Sequence, residues 1–177
     1  KETMAFKTVT LTPTLSTDAY ADGDVLFNEE IMLPARGAKL IGGWMIDQTN
    51  KLAGERLSLL FFGRNENAFG TVNATADISK ANLRTNQFQG AVKVANSAYD
   101  SHGFSEIDNA PTFRPLVIYN AADVEVDGTD DSLDVYGPVL SSVETGGKIY
   151  VSGVIHAVST AAAMAADELD FVFYFEY

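Results

Sequence analysis

The sequence of 177 residues contains no cysteine, so neither disulfide bonds nor thiolate-bound metals can stabilise its fold. Basic residues are scarce: 12 Lys and Arg stand against 24 Asp and Glu, which gives a formal net charge of −12 at pH 7. A field of that sign repels phosphate backbones, so we expect no nucleic acid among the partners. Every apolar run is far shorter than the ~20 residues that cross a bilayer, which predicts no membrane partner.

Apolar and aromatic residues are abundant by contrast. They make up 46% and 11% of the chain, which excludes a wholly disordered protein and predicts a sizeable core. The length is typical of one domain, so we treat residues 1–177 as a single folded unit.

Short runs of alternating apolar and polar residues predict β-strands along most of the chain. They are Thr8–Leu11, Val25–Leu33, Leu40–Asp47, Arg56–Phe62, Leu116–Tyr119, Val124–Val126, Leu133–Tyr136, Lys148–Val158 and Leu169–Tyr177. In the last run Leu169, Phe171, Phe173 and Phe175 share one face, which we expect at the centre of the core. The third run predicts Leu40, Trp44 and Ile46 on one face, with a bulge at Gly42-Gly43.

Long helices do not alternate with these strands, which disfavours a parallel sheet. The prediction is therefore an all-β, antiparallel β-sandwich, with a jelly roll as its candidate form. Residues 64–115 are the least regular part and are interpreted as an insertion within the sandwich. Inside it we predict a short helix over Asp77–Thr85, capped by Asp77, and a strand over Phe88–Val94.

Catalytic signatures are missing. The chain has two histidines; His102 falls in a predicted loop, and His156 lies in an apolar strand that indicates a structural, hydrogen-bonded histidine. The sequence has no G-x-S-x-G, P-loop or H-E-x-x-H motif. We therefore predict no enzyme, no catalytic residues and no cofactor.

The acidic stretch of residues 123–134 is a candidate metal site. Its carboxylates have a spacing that approximates a calcium loop with Gly128 at position six. The candidate ligands are Asp123, Glu125, Asp127, Asp131 and Asp134. The same alternation of acidic residues with valines is typical of a half-buried strand that enters an Asp-Gly turn, and we favour that interpretation over a metal site.

The N-terminal segment carries a recognisable pattern. Residues 8–25 read TVTLTPTLSTDAYADGDV, in which a strand is followed by T-P-x-L-x-T-x-x-Y-x-x-G-D and a second, aliphatic strand. Pro13 ends the first strand, Tyr20 can anchor the loop in the core, and Asp22-Gly23 turns the chain. The segment resembles the N-terminal signature of small virion structural proteins of tailed bacteriophages; beyond Asp47 no resemblance is seen.

The resemblance implies a capsid decoration (cement) protein on the outer surface of the head. Its expected partner is the major capsid protein, whose neighbouring subunits it would bridge as a homo-oligomer, a dimer or a trimer. The expected contact regions are an N-terminal arm, residues 1–6, and the insertion. Their aromatic interface candidates are Phe6, Phe69, Phe88, Phe104 and Phe113, although for the four rings of the insertion we favour packing in the domain's own core.

A binding module from another class is the alternative. A β-sandwich in a head fibre or a tail position could bind glycans or a receptor, with calcium held by residues 123–134. Aromatic side chains such as Trp44 and Tyr99 could stack on sugars, although a single tryptophan is better explained by packing.

Overall fold

The computed structural model describes residues 4–49, 51–52, 55–66, 69–94, 111–117, 138–142, 147–156 and 163–177. The strands are β1 (Phe6–Leu11), β2 (Val25–Met32), β3 (Gly37–Asp47), β4 (Arg56–Phe62), β5 (Phe88–Val94), β6 (Thr112–Val117), β7 (Val139–Ser141), β8 (Lys148–His156) and β9 (Leu169–Glu176), and helix α1 covers Lys80–Thr85. All pairings between these strands are antiparallel, which confirms the predicted fold class. In the described ranges no helix is long and apolar enough to span a membrane.

The strands form two sheets that meet at β6. The "β1 sheet" has the order β1-β9-β3-β6, and the "β2 sheet" has the order β2-β8-β4-β5, with β6 paired to β3 and, at its end, to β5. Strand β1 pairs with β9, β2 with β8, β3 with β6 and β4 with β5. This is the strand order of a jelly roll, in which one long antiparallel hairpin is rolled into two layers. Strand β7 is additional and pairs with the start of β3.

Aromatic rings of β9 fill the space between the two sheets. Phe171, Phe173 and Phe175 are all fully buried, as the alternation predicts. The ring of Phe171 lies 5.2 Å from that of Phe27, and the ring of Phe173 lies 5.9 Å from that of Phe61, so each contact joins one sheet to the other. Tilted and edge-on contacts of this kind add to the hydrophobic stabilisation from burial.

Strand β3 contains the predicted bulge, and the bulge changes which side chains face the core. The pairing with β9 shifts between Leu40 and Gly42, so Ile41 is the extra residue. Leu40 and Met45 are buried, whereas Trp44 and Ile46 are half-buried on the outer face. The prediction that Leu40, Trp44 and Ile46 share a face is therefore wrong, because one inserted residue reverses the alternation after it.

The insertion contains regular structure. Strand β5 spans Phe88–Val94, as predicted. Helix α1 begins later than predicted, and its N-cap is Ser79, whose side chain accepts a hydrogen bond from the Asn82 backbone at 3.2 Å. Asp77 is not the cap; its carboxylate accepts from the Asn82 side-chain amide at 2.7 Å. Residues 69–83 cover the outer face of the β2 sheet, where Phe69 and Leu83 pack with Phe62.

Tyr20 anchors the loop between β1 and β2, as predicted. Its side chain is fully buried; its hydroxyl accepts a hydrogen bond from the Ser16 backbone at 2.7 Å and donates to the Leu26 carbonyl at 3.4 Å. Gly23 adopts a φ of +83°, which suits glycine in the turn that leads into β2. Burial raises the pKa of the Tyr20 hydroxyl above its usual value of 10.0.

The substitution Tyr20→Phe is expected to lower the free energy of unfolding by about 1–2 kcal/mol at pH 7, because the partly buried Ser16 N–H loses its acceptor and the Leu26 carbonyl loses its donor. The folded protein holds the Tyr20 proton more tightly than the unfolded chain, so this contribution falls as pH rises above about 10. Urea unfolding at pH 7 and pH 10.5 measures both effects. The control is Tyr177→Phe, at an exposed ring. If the stability of both variants changed with pH in the same way, the raised pKa of Tyr20 would be contradicted.

Candidate functional site

The predicted interface phenylalanines lie in different environments. Phe69 is 2% exposed and stacks on Phe62 with ring centroids 4.0 Å apart, so it belongs to the domain's own core. Phe6 is 66% exposed and Phe88 is 41% exposed, whereas Phe113 is half-buried in β6. Phe104 lies outside the described residues. Phe6 is thus the most exposed of the described candidates.

The end of the predicted N-terminal arm continues β1. Ala5 and Tyr177 exchange two backbone hydrogen bonds of 3.1 and 3.0 Å, and Phe6 lies opposite Glu176. Residues 1–3 of the arm are outside the described part. The arm therefore leads directly into the edge of the β1 sheet.

Strand β1 presents an open edge. It is the first strand in the sheet order, and among the described residues it pairs only with β9. Ala5 and Tyr177 form a hydrogen-bonded pair, so the alternation of an antiparallel ladder directs the backbone groups of Lys7, Val9 and Leu11 toward β9. The N–H and C=O groups of Phe6, Thr8 and Thr10 consequently point away from β9, toward the open edge.

An apolar groove lies beside this edge. Its volume is about 290 Å³, and its lining residues are Phe6, Lys7, Thr8, Ile41, Tyr174 and Phe175. Ile41 is 41% exposed and Tyr174 is 37% exposed. An exposed backbone edge next to apolar side chains has the features that proteins use to bind an extended segment by strand addition.

Sequence reasoning identified Phe6 but missed Ile41 and Tyr174. Ile41 reaches the groove because it is the bulged residue of β3, and a bulge can redirect a side chain. Tyr174 occupies an outward position of β9, between inward-facing Phe173 and Phe175. An aromatic residue at a position where alternation predicts a polar one was the available signal.

The outer face of the β1 sheet continues from the groove toward β6. Val172 lies opposite Trp44, and Trp44 lies opposite Pro115. All three residues are half-buried. Trp44 thus packs on the outside of the sheet rather than in the core between the sheets.

A buried charged cluster occupies the far end of β3. Arg114 is 1% exposed and donates hydrogen bonds to the carbonyls of Leu52 at 2.9 Å and Glu55 at 2.5 Å. The Asp47 carboxylate accepts from the backbone N–H groups of Leu52 at 2.8 Å and Thr49 at 3.1 Å. Burial lowers the pKa of Arg114, and the charges of Asp47 and Glu55 oppose that shift. These bonds hold the loop after β3 against β6 at the end of the β1 sheet.

An ion pair ties the same loop to the turn before β9. Lys51 Nζ donates to both carboxylate oxygens of Glu168 at 2.8 Å, and Glu168 also accepts from the Ala165 backbone at 2.6 Å. The bond from Lys51 is the main cause that holds the pKa of Glu168 below its usual value. The role of this pair is structural, because it links the loop after β3 to the turn before β9.

The two histidines and the predicted calcium ligands are the other residues with chemical potential. His156 ends β8 and is exposed, and its Nε2 lies 3.1 Å from the hydroxyl of Ser58. It is hydrogen-bonded, as predicted, although it is not buried. His102 and the five carboxylates of the proposed calcium loop are outside the described residues. Within the described ranges, no three His, Asp or Glu side chains are grouped closely enough to hold a metal ion.

Comparison with known proteins finds no family model that matches this chain and no curated protein with significant similarity to its sequence. The resemblance of residues 8–25 to phage virion proteins therefore stays a prediction.

Proposed function

We propose that this chain is a structural virion protein, a decoration protein that binds the outside of a tailed-phage capsid and holds neighbouring major capsid subunits together. The jelly roll supports the proposal because viral capsid domains use that architecture, although lectin domains share it. The net charge of −12 suits the outer surface of a shell better than the side that faces packaged nucleic acid. A fold alone does not define a function, so the proposal depends on a specific surface.

The observation that carries the proposal is the open edge of β1 beside the apolar groove. An extended segment of a capsid subunit would hydrogen-bond to the backbone of Phe6, Thr8 and Thr10. An apolar side chain of that segment would enter the groove between Ile41 and Tyr174. Main-chain hydrogen bonds then supply affinity, and the groove supplies specificity.

Bridging requires more than one such contact. A cyclic dimer or trimer of this chain would present one open β1 edge per protomer. Each edge would engage a different capsid subunit, so that individually weak contacts act together at a high effective concentration. Separation of the capsid subunits would then have to break these added contacts.

The substitution Thr8→Pro tests the edge. The Thr8 N–H points away from β9, so proline there removes no hydrogen bond of the β1–β9 ladder but blocks an added strand. We expect the variant to keep its thermal stability and to lose about tenfold or more of its affinity for capsids that lack the protein, because strand addition depends on these main-chain bonds. Binding is measured by co-sedimentation and gel densitometry against the major capsid protein.

Thr8→Ala is the matched control, because it changes the same side chain but keeps the backbone N–H at the open edge. Capsid binding that is equal for Thr8→Pro and the unmodified chain would contradict the role of the edge. Absence of the chain from intact heads would contradict the proposed function itself. Binding to glycans that is lost on addition of a calcium chelator would instead support the alternative binding module.

A further inference from the structure

A group of basic and hydroxyl side chains lies on the outer face of the β2 sheet, away from the groove. Arg56 of β4 is directly opposite His156 of β8. Ser58 of β4 is directly opposite Lys93 of β5. Because Arg56 and Ser58 are two residues apart on one strand, their side chains point to the same face, and so do those of their partners.

Distances within this group are short. Side chains directly opposite each other in an antiparallel pair have Cβ atoms about 5 Å apart. Ser58 Oγ lies 3.1 Å from His156 Nε2, which fixes the hydroxyl at the centre of the group. When Nε2 carries the hydrogen it donates to Oγ, and the Ser58 hydroxyl proton is then available for a ligand.

The group is unusual for a chain with a net charge of −12. Three other described cations are paired with carboxylates: Lys51 with Glu168, Arg64 with Glu66 and Lys148 with Glu30. Arg56 is exposed and forms no salt bridge within the described part of the chain. Lys93 lies beside Ser58 and has an interaction of its own.

We propose that Arg56, Ser58, Lys93 and His156 form a binding site for an oxyanion. Arg56 would bind two oxygens through its planar guanidinium, as arginine does with phosphate and carboxylate groups. The Ser58 hydroxyl, which accepts from His156 Nε2, would donate to a remaining oxygen.

The shared chemistry of the ligand is a planar or tetrahedral oxyanion, which a free phosphate or sulfate ion or a carboxylate could supply. Titration of the folded chain with inorganic phosphate, sulfate and acetate at constant ionic strength distinguishes these sources. The readout is the imidazole signal of His156 in proton NMR, assigned by its loss in His156→Gln. Saturation by phosphate and sulfate alone supports a tetrahedral anion, and saturation by acetate as well supports a site that also accepts carboxylates.

Arg56→Gln is expected to weaken the saturable binding by about tenfold, because a charge-assisted hydrogen bond is lost. Lys80→Gln is the control, since Lys80 is an exposed cation on α1 outside the group. It should leave the dissociation constant unchanged. A shift that rises linearly without saturation for all three anions, or equal weakening by the two substitutions, would overturn the proposal. Circular dichroism of each variant confirms that it is folded.

Discussion

The substitution Gly43→Ala should destabilise the protein by about 3 kcal/mol, at the upper end of the range for overpacked sites. A Cβ atom at this position would lie 2.3 Å from the carbonyl oxygen of Val172 and 2.7 Å from the Leu116 side chain. The leucine can adjust, but the carbonyl belongs to β9, which is hydrogen-bonded on both sides. The loss should appear as a lower midpoint in urea denaturation with an unchanged slope.

The neighbouring glycine provides the matched control. At Gly42 the nearest heavy atom to an added Cβ would be Tyr174 Cδ2 at 3.6 Å, an ordinary van der Waals distance. Gly42→Ala should therefore change the free energy of unfolding by less than about 0.5 kcal/mol. Equal stability of the two variants would show that β3 and β9 are spaced more widely than the structure indicates.

Most of the strands could be predicted because their signal is local. Alternation in the chain predicts β2, β4, β5 and β9 to within a residue or two, since one face of each strand meets the core. The aromatic alternation of β9 identifies the core-facing residues correctly because that strand has no register shift in its pairing with β1. The jelly-roll order follows less directly, as it depends on which strands pair across the sheets.

The sequence-based predictions fail where a single residue interrupts a regular strand or decides where a helix begins. Gly42-Gly43 predicts a bulge, which the structure has at Ile41, but does not predict that the bulge turns Trp44 and Ile46 to the outer face. Ser79 and Asp77 are both good N-cap residue types; Ser79 is the cap because it accepts from the Asn82 backbone, whereas Asp77 accepts from the Asn82 side chain.

The sequence could not predict which residues come together in the groove and in the oxyanion site. Phe6, Ile41 and Tyr174 come from three different strands, and so do Arg56, Lys93 and His156. Their proximity is a consequence of strand pairing between distant segments. Local patterns contain no information on that pairing, whereas the register of the sheets gives it directly.

Replacement of Arg114 by methionine should also have a large effect, a loss of about 3–5 kcal/mol, because removal of one partner leaves buried polar and charged groups uncompensated. The carbonyls of Leu52 and Glu55 would lose their donor, and the Asp47 carboxylate would lose the nearby positive charge. Without the hydrogen bonds from Arg114, the loop after β3 should open more often. Urea denaturation measures the destabilisation, and faster hydrogen exchange at the Leu52 amide reports the opening.

The exposed Arg64 is the control that shows how much the burial of Arg114 contributes to stability. The Arg64–Glu66 pair has a similar N–O distance, 2.7 Å, but its side chains are 43% and 52% exposed, so Arg64→Met should change stability by less than about 1 kcal/mol. If the Arg114 cluster acts as a unit, Asp47→Asn combined with Arg114→Met should cost less than the sum of the two single changes, because each single change leaves the other charge unpaired. Additive losses would show instead that Arg114 acts only through the two carbonyls.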